Sequence, residues 1–373
     1  MAEFVVVGGG IYGTLTAREL ALAGADTVLL EANHIAGGAS GGLGKRGVRA
    51  NGRDARELPF MREAYAKWPS LGDELGADTG YERLGQLQLV ERERDVAPAM
   101  AQLWMQNRLG IETEWLGANA VREREPDIEA DIEGALLCPN DGVADHTATT
   151  QAAGDAARRL GVDVREQTAM RAVQVTNGNI THIETSNDES IAVSRGLLLL
   201  ANAAVPPLLA EHFNCALPVW AVLPQVMETQ PVSQPTIRHL VGHSSRVLSI
   251  KPHRDRVMIS GGWRGRWNNA RGVGETTPDQ VSGNFNEAIA VYPSLATTSI
   301  SRATADRPES ASVDGIPIID RIPGVANGIF ATGWCGHGWA IAPTIANHLA
   351  RWALGGRPSA LLRPFGLARF DPP

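Results

Sequence analysis

Unbroken apolar runs and alternating runs divide this chain into elements. "FVVV" (4–7) and "TVLL" (27–30) are unbroken, which predicts strands buried on both faces of a parallel sheet. Between them Leu15, Leu20 and Ala23 put apolar bulk on a helix, and Gly24 stands near its end, where a left-handed residue commonly stops a helix. "LGQLQLVER" (84–92) alternates as a strand does. Further helices are predicted over 58–80, over "DVAPAMAQLWMQNRLG", over 147–161 and over "TPDQVSGNFNEAIAVYPSL".

The stretch 162–193 reads as a small antiparallel meander with Asn177-Gly178 as its hairpin turn. "GLLLLAN" then returns to a buried strand, and "PVWAVLPQVMETQP", "VLSIKP" and "DRVMISGGW" are further strands. The last two form a hairpin across 253–255. Near the end, "DGIPIID" and "GVANGIFATGW" read as a turn and a buried strand, followed by "GWCGHGW" (333–339). A helix follows from about Ile341, with Ile345, Leu349 and Trp352 on one face. Pro343 suits its first turn, and Gly355-Gly356 stops it. The whole reads as an α/β core interrupted by two strand-rich insertions.

Composition narrows the class. A length of 373 residues exceeds one ordinary core, so two domains are expected. With 43% hydrophobic and 20% charged residues the chain reads as soluble and globular. A net charge of −7 argues against a nucleic-acid binder. Cys138, Cys215 and Cys335 lie far apart with no CxxC, which suits a reducing cytosol and gives neither a disulfide framework nor a metal motif. No signal-peptide pattern opens the sequence, and the greasiest run, "GLLLLANAAVPPLLA", is broken by prolines and too short for a bilayer. A cytoplasmic protein without membrane insertion is expected.

The first forty residues carry the chemistry. Gly8, Gly10 and Gly13 form G-x-G-x-x-G between the first strand and the first helix, and Glu31 ends the second strand. Gly8 makes the tight turn, Gly10 admits a pyrophosphate to the backbone, and Gly13 lets helix and strand pack closely. The helix start, with Ile11 and Tyr12, offers NH groups and a positive dipole end. Glu31, beside Ala32, can accept from ribose hydroxyls and disfavours a 2′-phosphate, so NAD and FAD remain. An NAD domain usually continues promptly into another βαβ unit. Here a second glycine-rich stretch (37–47) follows, with Gly38, Ala39 and Ser40, a loop able to run beside a large flat cofactor. It leads to Lys45, Arg46 and Arg49, cations able to face phosphates or an anionic ring.

The second strand–glycine–helix junction, Gly333 to Trp339, offers another helix start to a ligand. Gly333, Gly336 and Gly338 let its backbone approach closely. Cys335 and His337, two apart on a tight glycine turn, need not face each other, and a nucleophile–base pair would want a third, orienting group; two ligands do not make a zinc site. Cys335 reads as a small packing residue, and His337 as a group that contacts the cofactor, the backbone or substrate, or serves as a catalytic base near neutral pH. Trp334 and Trp339 suit either a pocket wall or the core.

The start "VVVGGGIYGTLTARELALAGADTVLLE", the loop "GGASGG", "SVDGIPIID" and "FATGWCGHGWAIAPTIANHLARWALGG" together resemble the D-amino-acid oxidase, glycine oxidase and sarcosine oxidase superfamily of FAD-dependent oxidoreductases. The closing "RPFGLARF" resembles the tail of sarcosine oxidase beta subunits and of opine and proline dehydrogenase subunits. The resemblance implies an FAD-binding unit from 1–81, 141–215 and 306–373, and a mixed-sheet substrate unit from 82–140 and 216–305. It implies non-covalent FAD, because "TADRPESASVDG" lacks the cysteine to which some sarcosine oxidases attach it. It implies an arginine for the substrate carboxylate, with Arg307 the nearest counterpart. Lys251 is a further candidate in the substrate unit. The strand "DRVMISGG", where monomeric sarcosine oxidases place a lysine over the flavin, has none.

The implied reaction is oxidation of a C–N bond in an amino acid or secondary amine by hydride transfer to flavin N5, with hydrolysis of the resulting imine. Oxygen, a partner subunit or a carrier takes the electrons. The alternatives are the beta-type subunit of a multi-subunit amine dehydrogenase and a flavin monooxygenase. Assembly is open between homo- and hetero-oligomer.

Overall fold

The unbroken apolar runs become the centre of a twisted sheet. The structure, a computed structural model, describes residues 1–42 and 44–371; Leu43 of the glycine-rich stretch and the final two prolines lie outside the described residues. Strand β1 (Ala2–Val7) lies parallel between β2 (Thr27–Leu30) and β11 (Ser190–Leu199). β22 (Gly328–Thr332) continues the sheet beyond β11, and β21 (Ile318–Arg321) closes that edge antiparallel. β8 (Asp163–Arg165) forms the other edge, parallel to β2.

Alternate residues of these strands enter two different cores, the consequence of a period of two. Phe4, Val6, Leu29, Leu198 and Ile329 face helices α1 (Ile11–Leu22), α2 (Leu58–Leu75), α5 (His146–Arg159) and α8 (Ala342–Gly355). Val5, Val7, Leu30, Leu197 and Phe330 face the other side, with α6 (Val205–Phe213) and the meander β9 (Met170–Thr176) and β10 (Asn179–Thr185). Asn177 and Gly178 both take positive φ, as the hairpin requires. The expected meander over 162–193 therefore begins only at β9. Its first stretch is β8, which leaves α5 and returns parallel to the sheet edge, as a crossover connection does. α2 stops at Gly76 (φ +65) rather than reaching residue 80, and the second half of "DGIPIID" is strand β21 rather than turn.

A second eight-stranded mixed sheet runs in the order β19 (Ile300–Thr304), β13 (Val226–Thr229), β16 (Arg256–Ser260), β15 (Ser249–His253), β14 (Leu240–His243), β4 (Gln86–Val90), β6 (Gly134–Cys138), β5 (Glu114–Gly117). α7 (Pro278–Val291) covers one face, burying Ile250, Val257 and Ile259 with Ala288 and Val291. α3 (Glu93–Arg108) and α4 (Ala118–Arg124) pack at its far edge. The opposite face turns Lys251 and Ser249 toward the first sheet's glycine turns.

Short antiparallel pairs connect the two sheets, β3 (Lys45–Val48) with β7 (Gly142–Asp145) and β12 (Val219–Val222) with β20 (Glu309–Ser312), while β17 (Arg266–Asn268) and β18 (Val273–Glu275) form a hairpin between β16 and α7. The fold is α/β with mixed sheets, and no helix among the described residues is long and apolar enough to cross a membrane.

Candidate functional site

The two glycine turns open onto one cavity of about 820 Å³ between the sheets. Its floor starts at the first turn. Gly8 has φ +114, and a Cβ there would come 2.7 Å from the Leu200 carbonyl oxygen, so no larger residue makes this turn. Gly13 does not line the cavity. A Cβ on it would stand 1.8 Å from the Gly8 carbonyl oxygen, so its task is the close contact of α1 with β1. Gly10, Gly38 and Gly336 line the cavity, and a Cβ on each would meet nothing within 4 Å, so all three present bare backbone to open space.

Glu31 holds the turn together. Its Oε2 accepts from Gly9 N at 2.6 Å and its Oε1 from Asn33 N at 2.8 Å. Each oxygen keeps a further lone pair for a ligand hydroxyl, and Ala32 and Asn33 continue the wall beside it.

The second turn leaves β22 through Gly333 (φ +76), Cys335 (φ +56) and Gly336 (φ +78). Gly333 itself stands behind the wall, while Trp334 through Trp339 line the cavity. The two turns are joined directly. Tyr12 stacks on Trp334, and its hydroxyl donates to the Gly338 carbonyl at 2.5 Å. Trp68 Nε1 donates to the Ala340 carbonyl at 2.8 Å, which fixes the start of the last helix. Cys335 is half-buried and faces the cavity rather than packing in the core, contrary to expectation. Its left-handed backbone turns the side chain toward Ser312, whose N donates to Sγ at 3.3 Å.

The expected loop 37–47 ends in strand β3, and strand alternation sorts its cations. Arg46 lines the cavity and donates to the carbonyls of Gly41 and Gly42. Lys45 points away and pairs with Glu82, so it does not face a cofactor in the cavity. Arg49 lines the cavity with one guanidinium nitrogen on the Asn51 carbonyl at 2.6 Å. Ser40 donates to Glu309 at 2.6 Å. Burial raises the Glu309 pKa against the pull of Ser40 and Ser310.

Lys251 stands in register with Met258 on the neighbouring strand and is 3% exposed. Burial, with the charges of Arg46 and Arg49, lowers its pKa to about 7. A buried lysine thus lines the cavity from the strand beside "DRVMISGG". Arg307, by contrast, does not line the cavity. Its Nε lies 3.7 Å from Asp306, and the cavity is reached instead by the next residues, Pro308 and Glu309.

Sequence reasoning did not find Arg53, Glu57, His146 or Glu309. Arg53, His146 and Glu309 line the cavity, and Glu57 lies directly behind its wall at His337. His146 is buried, and burial with the Arg46 charge lowers its pKa to about 3, so it is neutral. No cluster of His, Cys, Asp or Glu among the described residues suits a metal ion.

Bare backbone at three glycines, a helix start and the Glu31 carboxylate at the end of β2 fit FAD. The model of the family described as "FAD dependent oxidoreductase" matches residues 3–352. The chain is 24% identical over 383 residues to sarcosine oxidase subunit beta of an Arthrobacter species, covering 99% of this chain and 91% of that protein. It is 25% identical over 361 residues to glycine oxidase of Bacillus licheniformis, covering 95% and 93% of the two. A crystal structure of L-proline dehydrogenase from P. horikoshii superposes with a TM-score of 0.89 at 23% identity, over 99% of this chain and 97% of that one. The chain belongs to the family of FAD-dependent oxidoreductases.

Proposed function

We propose that this protein oxidises the C–N bond of a small amino acid or secondary amine, with FAD held non-covalently along the cavity. The observation that carries this reading is Lys251. It is a deeply buried amine with a pKa near neutrality, turned into the cavity beside Arg46 and Arg49. FAD, when bound, supplies the two-electron acceptor. The chain's own residues do the rest. Residues 1–81, 141–215 and 306–373 form the unit that holds FAD, and residues 82–140 and 216–305 form the sheet that closes over substrate.

Gly8, Gly10, Ile11, Tyr12, Glu31, Ala32, Gly38, Ala39, Ser40 and Arg46 bind the cofactor from one side. Trp334, Gly336, His337, Gly338 and Trp339 bind it from the other, with Gly13 and Gly333 shaping the two turns. Arg49 anchors a substrate carboxylate through its free guanidinium edge. Lys251 as the neutral amine takes the proton from the substrate ammonium, leaving the neutral amine that oxidation requires. Burial between the sheets excludes water from that exchange.

The relatives named as oxidases and as a dehydrogenase leave two routes for the electrons, to oxygen or to a partner subunit or carrier. The test is product formation by purified, FAD-loaded protein. Glycine, N-methyl amino acids, amino acids of both hands and opines are supplied singly with a dye acceptor. An oxo acid or aldehyde trapped as its hydrazone supports the reading. Turnover that requires NADPH and an aromatic ring overturns it.

A further inference from the structure

We infer that Asp141 is a positioning residue that aims Arg49 into the cavity from behind its wall. The inference rests on the reading that Arg49 anchors the substrate carboxylate. Asp141 stands where the chain leaves β6 of the second sheet for β7, the strand paired with β3. Arg49 follows β3 directly. Asp141 is fully buried and does not line the cavity.

Its two carboxylate oxygens collect three donors. Oδ1 accepts from Ala50 N at 2.6 Å and from the Tyr65 hydroxyl of α2 at 2.5 Å, and Oδ2 accepts from Asn51 N at 3.2 Å. The two residues after Arg49 are therefore seated on one carboxylate by consecutive backbone N–H groups. The same Asn51 supplies the carbonyl that receives Arg49 Nη1 at 2.6 Å. Asp141 fixes the backbone, the backbone fixes one edge of the guanidinium, and the rest of the guanidinium is left to the cavity. The other tethers of this segment are Asn51 Nδ2 on the Leu136 carbonyl at 3.2 Å, Gly52 N on Gln106 Oε1 at 3.2 Å and Arg53 Nε on the Arg49 carbonyl at 2.6 Å. None of them touches the Asn51 N–H or carbonyl.

Burial raises the Asp141 pKa to about 6 against the pull of Tyr65, Ala50, Asn51 and Arg49, which leaves an anion at neutral pH. That charge and the hydrogen bonds act in opposite directions. A negative charge behind Arg49 repels an anion in the cavity. The hydrogen bonds hold the guanidinium where the anion meets it. Asparagine separates the two effects, because its amide keeps one acceptor oxygen and must turn an NH2 group toward one of the three donors. Loss of the charge alone strengthens carboxylate binding, and loss of aim weakens it.

The test uses acetate, a carboxylate with no amine. The FAD-loaded wild type, D141N, R49Q and the double variant are titrated with it at neutral pH and constant ionic strength, read by the difference absorbance of the bound flavin. R49Q raises the acetate Kd about tenfold or more. D141N raises it about tenfold, the scale set by a hydrogen bond to a charged group. Adding D141N to R49Q changes nothing further. Tighter or unchanged acetate binding in D141N, or independent losses in the double variant, overturn the inference while leaving Arg49 as the anchor. Acetate binding in R49Q equal to that of the wild type removes the anchor reading itself, and the inference with it.

Should D141N not retain FAD, Y65F decides, since it takes one donor from Oδ1 and leaves the carboxylate and both backbone bonds. A rise of about threefold in the acetate Kd, absent in the R49Q background, supports the inference. An unchanged Kd in Y65F overturns it.

Discussion

Tyr12 lies flat on Trp334, ring centroids 3.8 Å apart and 11° from parallel, so the first turn of the nucleotide helix carries the turn that begins the last helix. The Tyr12 hydroxyl, donating to the Gly338 carbonyl, closes the same joint from the side. These residues are over three hundred positions apart, and the contact locks the two glycine turns together in the cavity wall. Tyr12→Phe should keep the stack and lose the buried hydrogen bond, at about 1 kcal/mol. Thermal unfolding checks the stability loss. Fluorescence titration with FAD should show weaker binding than in the wild type.

The two motif glycines should fail differently. Gly13→Ala places a methyl 1.8 Å from a backbone oxygen and should prevent the packing of α1 on β1. Gly10→Ala meets no protein atom and sits at an ordinary negative φ. It should fold normally and dissociate FAD about tenfold more readily. Circular dichroism with flavin release on ultrafiltration separates the two outcomes.

Lys251 gives a pH prediction with a definite sign. Its pKa of about 7 makes it cationic below neutrality and a free amine above. A base must be unprotonated, so flavin reduction by substrate should speed up as pH rises through about 7. Lys251→Met should remove that break and slow reduction by about 10²- to 10⁴-fold. Stopped-flow absorbance across pH measures both.

The two arginines can be told apart by KM. Arg49→Gln should raise KM by about 10- to 100-fold, the loss expected for a charged hydrogen bond. Arg307→Gln should change it little, because Arg307 does not line the cavity. Steady-state kinetics on one accepted substrate suffices.

Much of this was readable in advance where a period or a spacing carries it. The alternation of β1 and β22 between two cores follows from apolar runs, and the tasks of Gly8 and Gly13 follow from their motif. Lys251 could be placed by alternation alone. In β15, Ile250 enters the core under α7, so Lys251 must face the other way. Lys45 escapes placement as long as its stretch reads as loop. Once 45–48 is a strand, Lys45 and Arg46 must point to opposite sides. Glu57 and Glu309 left no signal. Their meaning lies in His337 and Ser40, partners roughly 280 and 270 residues away, and no local pattern encodes such contacts. Arg307 failed for a related reason. It lies between strands, where no periodicity fixes the direction of a side chain.

In the proposed reaction an amine alone delivers electrons to FAD in this cavity. Anaerobic titration of the FAD-loaded protein with glycine, N-methyl amino acids, D- and L-amino acids and opines tests it most directly. Bleaching of the flavin absorbance by at least one of these, without a nicotinamide present, is the predicted result. A flavin that none of them bleaches, but that NADPH reduces, would contradict the account.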